Sequence, residues 1–382
     1  MDFELNEEQK ILKETIREFA QEEILPLSKL MEEEGRIPKE IIKKLAEIGV
    51  MGMTVPAEYG GSELDYISSC IIIEEIARVC PSTAVTVSVH TSAFCYPILK
   101  FGSEEQKRKY LPKASSGEIL GAFSLTEPSA GSDASAIQTK ARKENGFYIL
   151  SGTKNWVTSG ANAGAFVMMA RTSPEPGSKS ISAFIVDSDS PGLKISKIED
   201  KMGLRSSNTA EIVLDECRIS ENSLLGREGE GLKIALHTLD VSRIGIAAQA
   251  VGIAQSALDE AIKYAKSRKT FGKFLHEHQA IQFMIAEMST YIEAARLLTY
   301  RAAYLKDKGL PHTKESSMAK LYASEIANKV TYLALQIHGA YGYSKEFLIE
   351  KLFRDARVTT IYEGTSEIQK IIIARNLLGL QK

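Results

Sequence analysis

The character of the chain changes twice along its length, and that order constrains its fold most. Residues 1 to about 118 carry helical periodicity, about 120 to 225 carry short β-like runs, and helical periodicity returns from about 230. A three-part α–β–α order is unusual, and 382 residues suggest two or three domains rather than one small core. The expected division is an N-terminal helical domain over 1–118, a middle β domain over 119–228 and a C-terminal helical bundle over 229–382. Ligands favour domain junctions, so a cofactor is expected where the β segment meets its flanking helices.

Local signals support each zone. Residues 6–25 are amphipathic, with a stop expected at Pro26, and Pro38 opens a segment that closes at Gly49. Ser103 and Gln106 form a capping box ahead of Tyr110 and Leu111. In the middle zone Asn145-Gly146 separates Gln138–Glu144 from Phe147–Thr153, a strong hairpin signal. The runs Phe166–Ala170, Ile181–Val186, Leu193–Ile198 and Ala210–Leu214 follow, divided by turns such as Ser173 to Gly177 and Pro191-Gly192. This pattern predicts a small sandwich or barrel. Farther on, Ala247, Val251, Ala254, Leu258, Ile262 and Ala265 step by threes and fours. With 277–307 and 314–338 they predict a bundle of three or four long helices.

Bulk chemistry excludes several function classes. The formal net charge is -2, and no basic stripe with interleaved aromatics points to nucleic acid. The acidic start Met1 to Glu8 is not a secretory signal, and no apolar run reaches membrane-spanning length. Cys70, Cys80, Cys95 and Cys217 show no Cys-x-x-Cys spacing, so free thiols in a reducing cytoplasm are expected and zinc is not.

Five segments carry candidate chemistry. Thr360 to Gln369 sets Glu363 beside Gly364, just ahead of a helix start in which Ser366 and Gln369 read as a capping box. A carboxylate there is well placed as a base on a carbon acid, or it is an ordinary acidic residue before a helix. Phe123 to Asp133 runs from a strand into a loop of small and hydroxyl residues that suits a planar ring or a phosphate, or is a surface turn. No Gly-x-Gly-x-x-Gly fingerprint follows a strand in the N-terminal region, so a Rossmann site is not supported. Trp156, the only tryptophan, shares a strand face with Thr158 and reads as one wall of an aromatic cofactor or as core. Arg268 to Lys273, with Gln279, is a phosphate-binding cluster or a cationic helix end. Gln336 to Tyr343 offers small residues where a dinucleotide can approach backbone, or a glycine C-cap; His338 alone reads as packed.

In this order and spacing the segments resemble the acyl-CoA dehydrogenase family over essentially the whole chain. Leu125–Asp133 and Gln336–Tyr343 match its two signature regions, Tyr362-Glu363-Gly364-Thr365 its catalytic segment, and the detail is closest to the short-chain, butyryl-CoA type. The resemblance implies FAD between the β domain and the bundle. Phe123, Leu125, Thr126 and Ser132 would line the flavin or the adjoining substrate channel, with Trp156 and Thr158 flanking the ring. Arg268, Phe271, Gln279, Gln336, Gly339 and Ala340 would hold the adenine half from a neighbouring subunit, and Thr365 and Glu367 would also touch FAD. Asp240 and Arg243 match the CoA-contacting pair, and Ser132 and Gly364 would also touch substrate. Some members carry the base just before that arginine; here Ser242 stands there and cannot serve, which leaves Glu363. Ala340 replaces a usual glycine, and Ser124 a usual small apolar residue or Cys.

The function implied is oxidation of a short- or medium-chain acyl-CoA to its trans-2-enoyl thioester. A homotetramer in the cytoplasm would pass electrons to an electron-transferring flavoprotein. The rivals are an acyl-CoA oxidase, a branched-chain or glutaryl-type dehydrogenase, and a non-catalytic acyl-CoA-binding or DNA-associated relative. Pocket depth, and with it acyl length, is expected to rest on residues near 85–99 and 240–250.

Overall fold

The computed structural model describes residues 4–175 and 177–380. Met1 to Phe3 of the acidic start and Pro176 of the Ser173 to Gly177 turn lie outside them. Helix α1 (Glu7–Phe19) opens on a capping box between Asn6 and Gln9. The expected stop at Pro26 is corrected. The helix ends at Phe19, and the chain stays helical through a wide turn (Ala20–Ile24) and a tight one (Leu25–Leu27) into α2 (Ser28–Glu34). Pro26 sits in the first turn of its segment, where no intrahelical N–H bond is lost. Helices α3 (Lys39–Glu47), α4 (Tyr66–Val79), α5 (Pro81–Val89), α6 (Tyr96–Phe101) and α7 (Glu104–Ser115) follow, the last behind the Ser103–Gln106 box.

The middle zone is one sheet: β1 (Gly121–Ser124), β2 (Lys140–Glu144), β3 (Phe147–Thr158), β4 (Ala165–Arg171), β5 (Ile181–Asp187), β6 (Leu193–Ile198), β7 (Thr209–Ser220) and β8 (Leu224–Leu225). Its order is β6-β7-β3-β2-β4-β5-β8, with β1 parallel to β4. Asn145 and Gly146 both take positive φ, 48° and 80°, the turn whose twist matches the β2–β3 hairpin.

The last zone holds α8 (Gly231–Ser267), a short hairpin of β9 (Lys269–Thr270) and β10 (Lys273–Phe274), then α9 (Gln279–Asp307), α10 (Thr313–His338), α11 (Leu348–Arg357) and α12 (Ser366–Leu378). The two helical zones share one buried core: Ile72, Ile76 and Val87 join Ala247, Val251 and Ala254 of α8. Small residues make this possible. A Cβ at Gly252 would stand 2.4 Å from the Glu74 carbonyl oxygen, and one at Gly245 would stand 2.3 Å from Ser88 Oγ. Ion pairs Arg296–Glu74 at 2.8 Å and Arg78–Asp259 at 2.6 Å rim the contact.

A smaller core marks where all three zones meet. Val85, Val89 and Ala93 from the first zone, Phe123 and Leu204 from the second, and Ile246, Val358 and Tyr362 from the third pack together. The Leu204 N–H donates to Asp355 Oδ1 at 2.6 Å, pinning the β domain to α11. This junction positions the site.

Candidate active site

The chain leaves α11 through a tight turn (Val358–Thr360) and then places two successive residues in the left-handed region, Glu363 at φ 55° and Gly364 at φ 94°. For glutamate that conformation is uncommon and strained, and strain of this kind gathers at functional sites. Thr365, not Ser366, caps α12: its Oγ1 accepts from the Ile368 N–H at 3.4 Å. The expected Ser366–Gln369 box is therefore corrected. Ser366 Oγ donates to Glu325 Oε1 at 2.5 Å, and Gln369 turns back toward the strained pair. The threonine takes the cap because the double left-handed kink ends at Gly364, immediately before it.

The carbonyls of that pair are tied down twice each. Glu363 O accepts from Arg243 Nε at 3.2 Å and Gln369 Nε2 at 3.1 Å. Gly364 O accepts from Lys320 Nζ and Gln369 Nε2, both at 2.8 Å. Among the described residues, the Glu363 N–H donates to no group. Its carboxyl is equally open: Oε2 is buried without a hydrogen-bond partner, and so is the nearby Ser242 Oγ. Burial pushes the Glu363 carboxyl up, against the pull of the Ser242 hydroxyl and the Arg243 and Lys320 cations. Tyr362 beneath it is locked by a short hydrogen bond to Gln249 Oε1.

Asp240 and Arg243 come together as expected. They lie one turn apart on α8, and Arg243 Nη1 donates to Asp240 Oδ1 at 2.6 Å. Thr313 Oγ1 holds the other Asp240 oxygen at 2.6 Å. A cavity of about 20 Å³ borders the same turn of α8, lined by Tyr66, Cys70, Ser88, Thr91, Ile244 and Gly245 among others.

On the middle domain, Phe123 reaches the Tyr362 cluster, while Leu125 packs into the sheet-side core. Thr126 is half-buried and Ser132 lies on the exposed part of the loop. Lys154 on β3 fastens this loop: its Nζ meets Glu127 Oε1 at 2.8 Å and donates to Leu125 O at 3.1 Å. Just beyond, the β3–β7 register slips between Lys154 and Val157. The bulge puts Trp156 at φ 57° and leaves it 58% exposed, with Thr158 half-buried beyond the buried Val157. The reading of Trp156 as core is thereby excluded.

A second group sits elsewhere. Arg268 stacks its guanidinium over Tyr341, 5.6 Å from the ring centroid. Phe271 tips the β9–β10 hairpin at φ 50°, 97% exposed. Gln279 starts α9, and Gln336, Gly339 and Ala340 are exposed around the end of α10. His338 is packed, bonding Ala334 O at 2.7 Å and stacking on Tyr264. At about 1.5 Å of rise per residue, Arg268 lies roughly 37 Å along α8 from Arg243. Thr365 and Glu367 instead line a polar recess of about 400 Å³ with Glu325, Asn328, Arg357 and Thr360, near the strained pair.

Sequence reasoning missed Lys320, and it did not anticipate that Gln369 holds both carbonyls of the strained pair or that Lys154 and Glu127 pair. A signal existed for Lys320: Ser316, Ser317, Ala319, Ala323 and Ser324 surround it with small residues, the mark of a face pressed against a neighbour.

Family models match nearly the whole chain: the acyl-CoA dehydrogenase N-terminal domain over 6–118, the middle domain over 122–217 and the C-terminal domain over 229–378. The mitochondrial short-chain specific acyl-CoA dehydrogenase of Bos taurus is 49% identical over 98% of this chain and 91% of its own. A chain in the solved structure of the electron transferring flavoprotein of Acidaminococcus fermentans is 46% identical. It superimposes with a TM-score of 0.97 over 99% of this chain and all of that one. Butyryl-CoA dehydrogenase from Megasphaera elsdenii is 41% identical, also with a TM-score of 0.97, over 99% of this chain and 100% of its own. With the strained glutamate, its bracketed carbonyls and the outward-turned tryptophan in place, these matches establish that the chain belongs to the acyl-CoA dehydrogenase family.

Proposed function

We propose that this chain is an FAD-dependent dehydrogenase of short-chain acyl-CoA thioesters, with Glu363 as the base that takes the α-proton. The observation that carries the reading is the carboxyl of the half-buried Glu363: raised in pKa, with one buried oxygen unpartnered, next to Tyr362 of the cluster where the three domains meet. A base near neutral pH needs that combination.

The residues present fit FAD. Trp156 and Phe271 are held outward in left-handed conformations, Thr158 and the Thr126 to Ser132 loop offer hydroxyls beside the tryptophan, and Gly339 has open space at its Cβ. We assign Phe123, Leu125, Thr126, Ser132, Trp156 and Thr158 to the flavin end, and Thr365 and Glu367 through the polar recess. Arg268, at the far end of α8, with Phe271 and Gln279 just after it and Gln336, Gly339 and Ala340 around the Tyr341 it stacks on, lies too far from Arg243 to complete the same site. They serve the adenine half of a neighbour's FAD, which makes the enzyme an oligomer, a homotetramer by family pattern. Ala340 is exposed, so its extra methyl meets no clash in the chain itself.

When bound, FAD supplies the acceptor for the β-hydride. The chain does the rest. Glu363 removes the α-proton, and its free N–H meets the thioester oxygen as charge builds there. Asp240 and Arg243 hold the CoA part, with Ser132 and Gly364 along the channel. The tight packing behind Ile244 and Gly245, where only a small cavity remains between α8 and residues 88–92, supports a short acyl tail. Electron-transferring flavoprotein is the proposed acceptor, supported by the match to a chain from that system. No helix among the described residues is long and apolar enough to cross a membrane.

Glu363→Gln tests the reading. The expected enzyme keeps its flavin and binds butyryl-CoA, yet flavin bleaching slows by about 10²–10⁴-fold. Bleaching at the normal rate would remove Glu363 from the mechanism.

A further inference from the structure

Lys320 stands out among the groups that the mechanism leaves unused. It is fully buried on α10, and its Nζ donates to Gly364 O at 2.8 Å. No carboxylate among the described residues forms a salt bridge with it. A buried ammonium with a single carbonyl partner is expensive, and an apolar side chain of similar length fills such space at lower cost. Its place is therefore informative. The carbonyl it holds belongs to the second of the two left-handed residues that aim the base, and the Glu363 carboxyl faces it across the kink.

We propose that Lys320 is a positioning residue for the Glu363 base: it clamps the Gly364 carbonyl, fixes the left-handed pair, and presents its positive charge to the carboxylate. The inference rests on Glu363 being the base and deepens that assignment. Arg243 and Gln369 anchor the first carbonyl of the pair, while Lys320 and Gln369 anchor the second. Without Lys320 the Gly364 carbonyl keeps only the glutamine, and the glycine backbone is free to swing.

The charged groups around the pair fix the sign of the effect. Glu363 is faced by Arg243 and Lys320. Lys320 is faced by Glu363, Arg243, Glu325 and Glu367, and burial draws it down to about 7. Below that pH it is a cation and favours the ionised carboxylate. Removing it moves the protonation of Glu363 to higher pH.

The test uses FAD-loaded enzyme and two readouts. One is the pH profile of kcat/KM; the other is exchange of the acyl-CoA α-hydrogen in deuterium oxide, which reads the base directly. In Lys320→Met the acid limb of both profiles is expected to rise by about 0.5–1 pH unit. The value of kcat should fall about tenfold or more while KM stays within about twofold. Lys320→Gln, which keeps a donor but no charge, should show the same limb shift with a smaller fall in kcat. Lys320→Arg should keep the limb where the natural enzyme has it. An unmoved limb in Met or Gln variants that have lost only thermal stability makes Lys320 merely structural. If neither variant folds, an Arg variant with its limb moved upward overturns the proposal and one with the limb in place supports it. Glu363→Gln separates the two claims: normal exchange in that variant sinks the base assignment itself.

Discussion

Among the described residues two lysines are fully buried, Lys154 and Lys320, and their surroundings differ. Lys154, in the middle sheet, meets a carboxylate and a carbonyl. Its partner Glu127 also accepts from the Gln138 and Thr139 N–H groups. Burial draws Lys154 down to about 8; it also works against Glu127, yet the lysine and the backbone donors hold that carboxyl below its usual range. The pair stays ionised and is closed on itself. Lys320 has one carbonyl, and Glu363, Glu325 and Glu367 act on it without forming a salt bridge. The first lysine fastens the Leu125–Glu127 loop to its strand. The second tolerates an imperfect match, which the proposed role of Glu363 as a base explains. Local rules broken without compensation mark functional sites, and here the broken rule lies within one residue of the proposed base, Glu363.

The comparison breaks most visibly on the closed pair. Lys154→Met leaves Glu127 buried without its cation, and breaking such a pair costs about 3–5 kcal/mol. Urea unfolding should show that loss, and removing both partners in Lys154→Met with Glu127→Leu should restore most of it. A single variant as stable as the natural protein would mean that the pair carries no structural weight and that the two lysines are alike.

His90 sharpens the contrast by being buried with no charge at all. Its Nδ1 accepts the Gly121 N–H at 2.9 Å, so Nε2 carries the proton toward Ala114 O at 3.2 Å. Burial pulls it from 6.5 down to about 4. Between those values the unfolded chain binds a proton that the folded chain refuses, so stability falls as pH drops through that window. The distance corresponds to about 3 kcal/mol. Unfolding free energies measured from pH 6.5 to 4 should lose about that amount beyond the loss seen in His90→Gln, which keeps a donor and an acceptor but does not titrate. Equal slopes would show that His90 is protonated inside the fold.

How much of this was legible depends on the range of the interaction. The β runs and the Asn145-Gly146 hairpin were readable because turn residues and alternation act over a few positions. Leu193–Ile198 coincides with β6 end to end. Glu363, Asp240 and Arg243 were readable as pattern, and the fold brings them to one junction. What was not legible acts across the chain. The core shared by α4, α5 and α8 depends on which amphipathic face meets which, and periodicity names faces but not partners. Trp156 turns outward because of a bulge against β7, a strand some fifty residues away. The continuation through Pro26 depends on successive turns of different pitch that local propensity does not distinguish.

The cap of α12 gives the smallest effect and the sharpest check on the strained pair. Sequence favours Ser366 as the cap, whereas the structure gives that role to Thr365 and ties Ser366 to Glu325. Capping substitutions cost about 0.5–2 kcal/mol, and the 3.4 Å bond places Thr365→Ala near the lower end. The location matters more than the size. The cap is the first residue after the two left-handed ones, so loosening it lets α12 fray toward Gly364, and Gln369 then loses its hold on both carbonyls. Thr365→Ala should therefore lower kcat with little change in stability, the reverse of what Lys154→Met does. Finding the activity intact while Ser366→Ala carries the stability loss would return the cap to the serine and detach the helix start from the aim of the base.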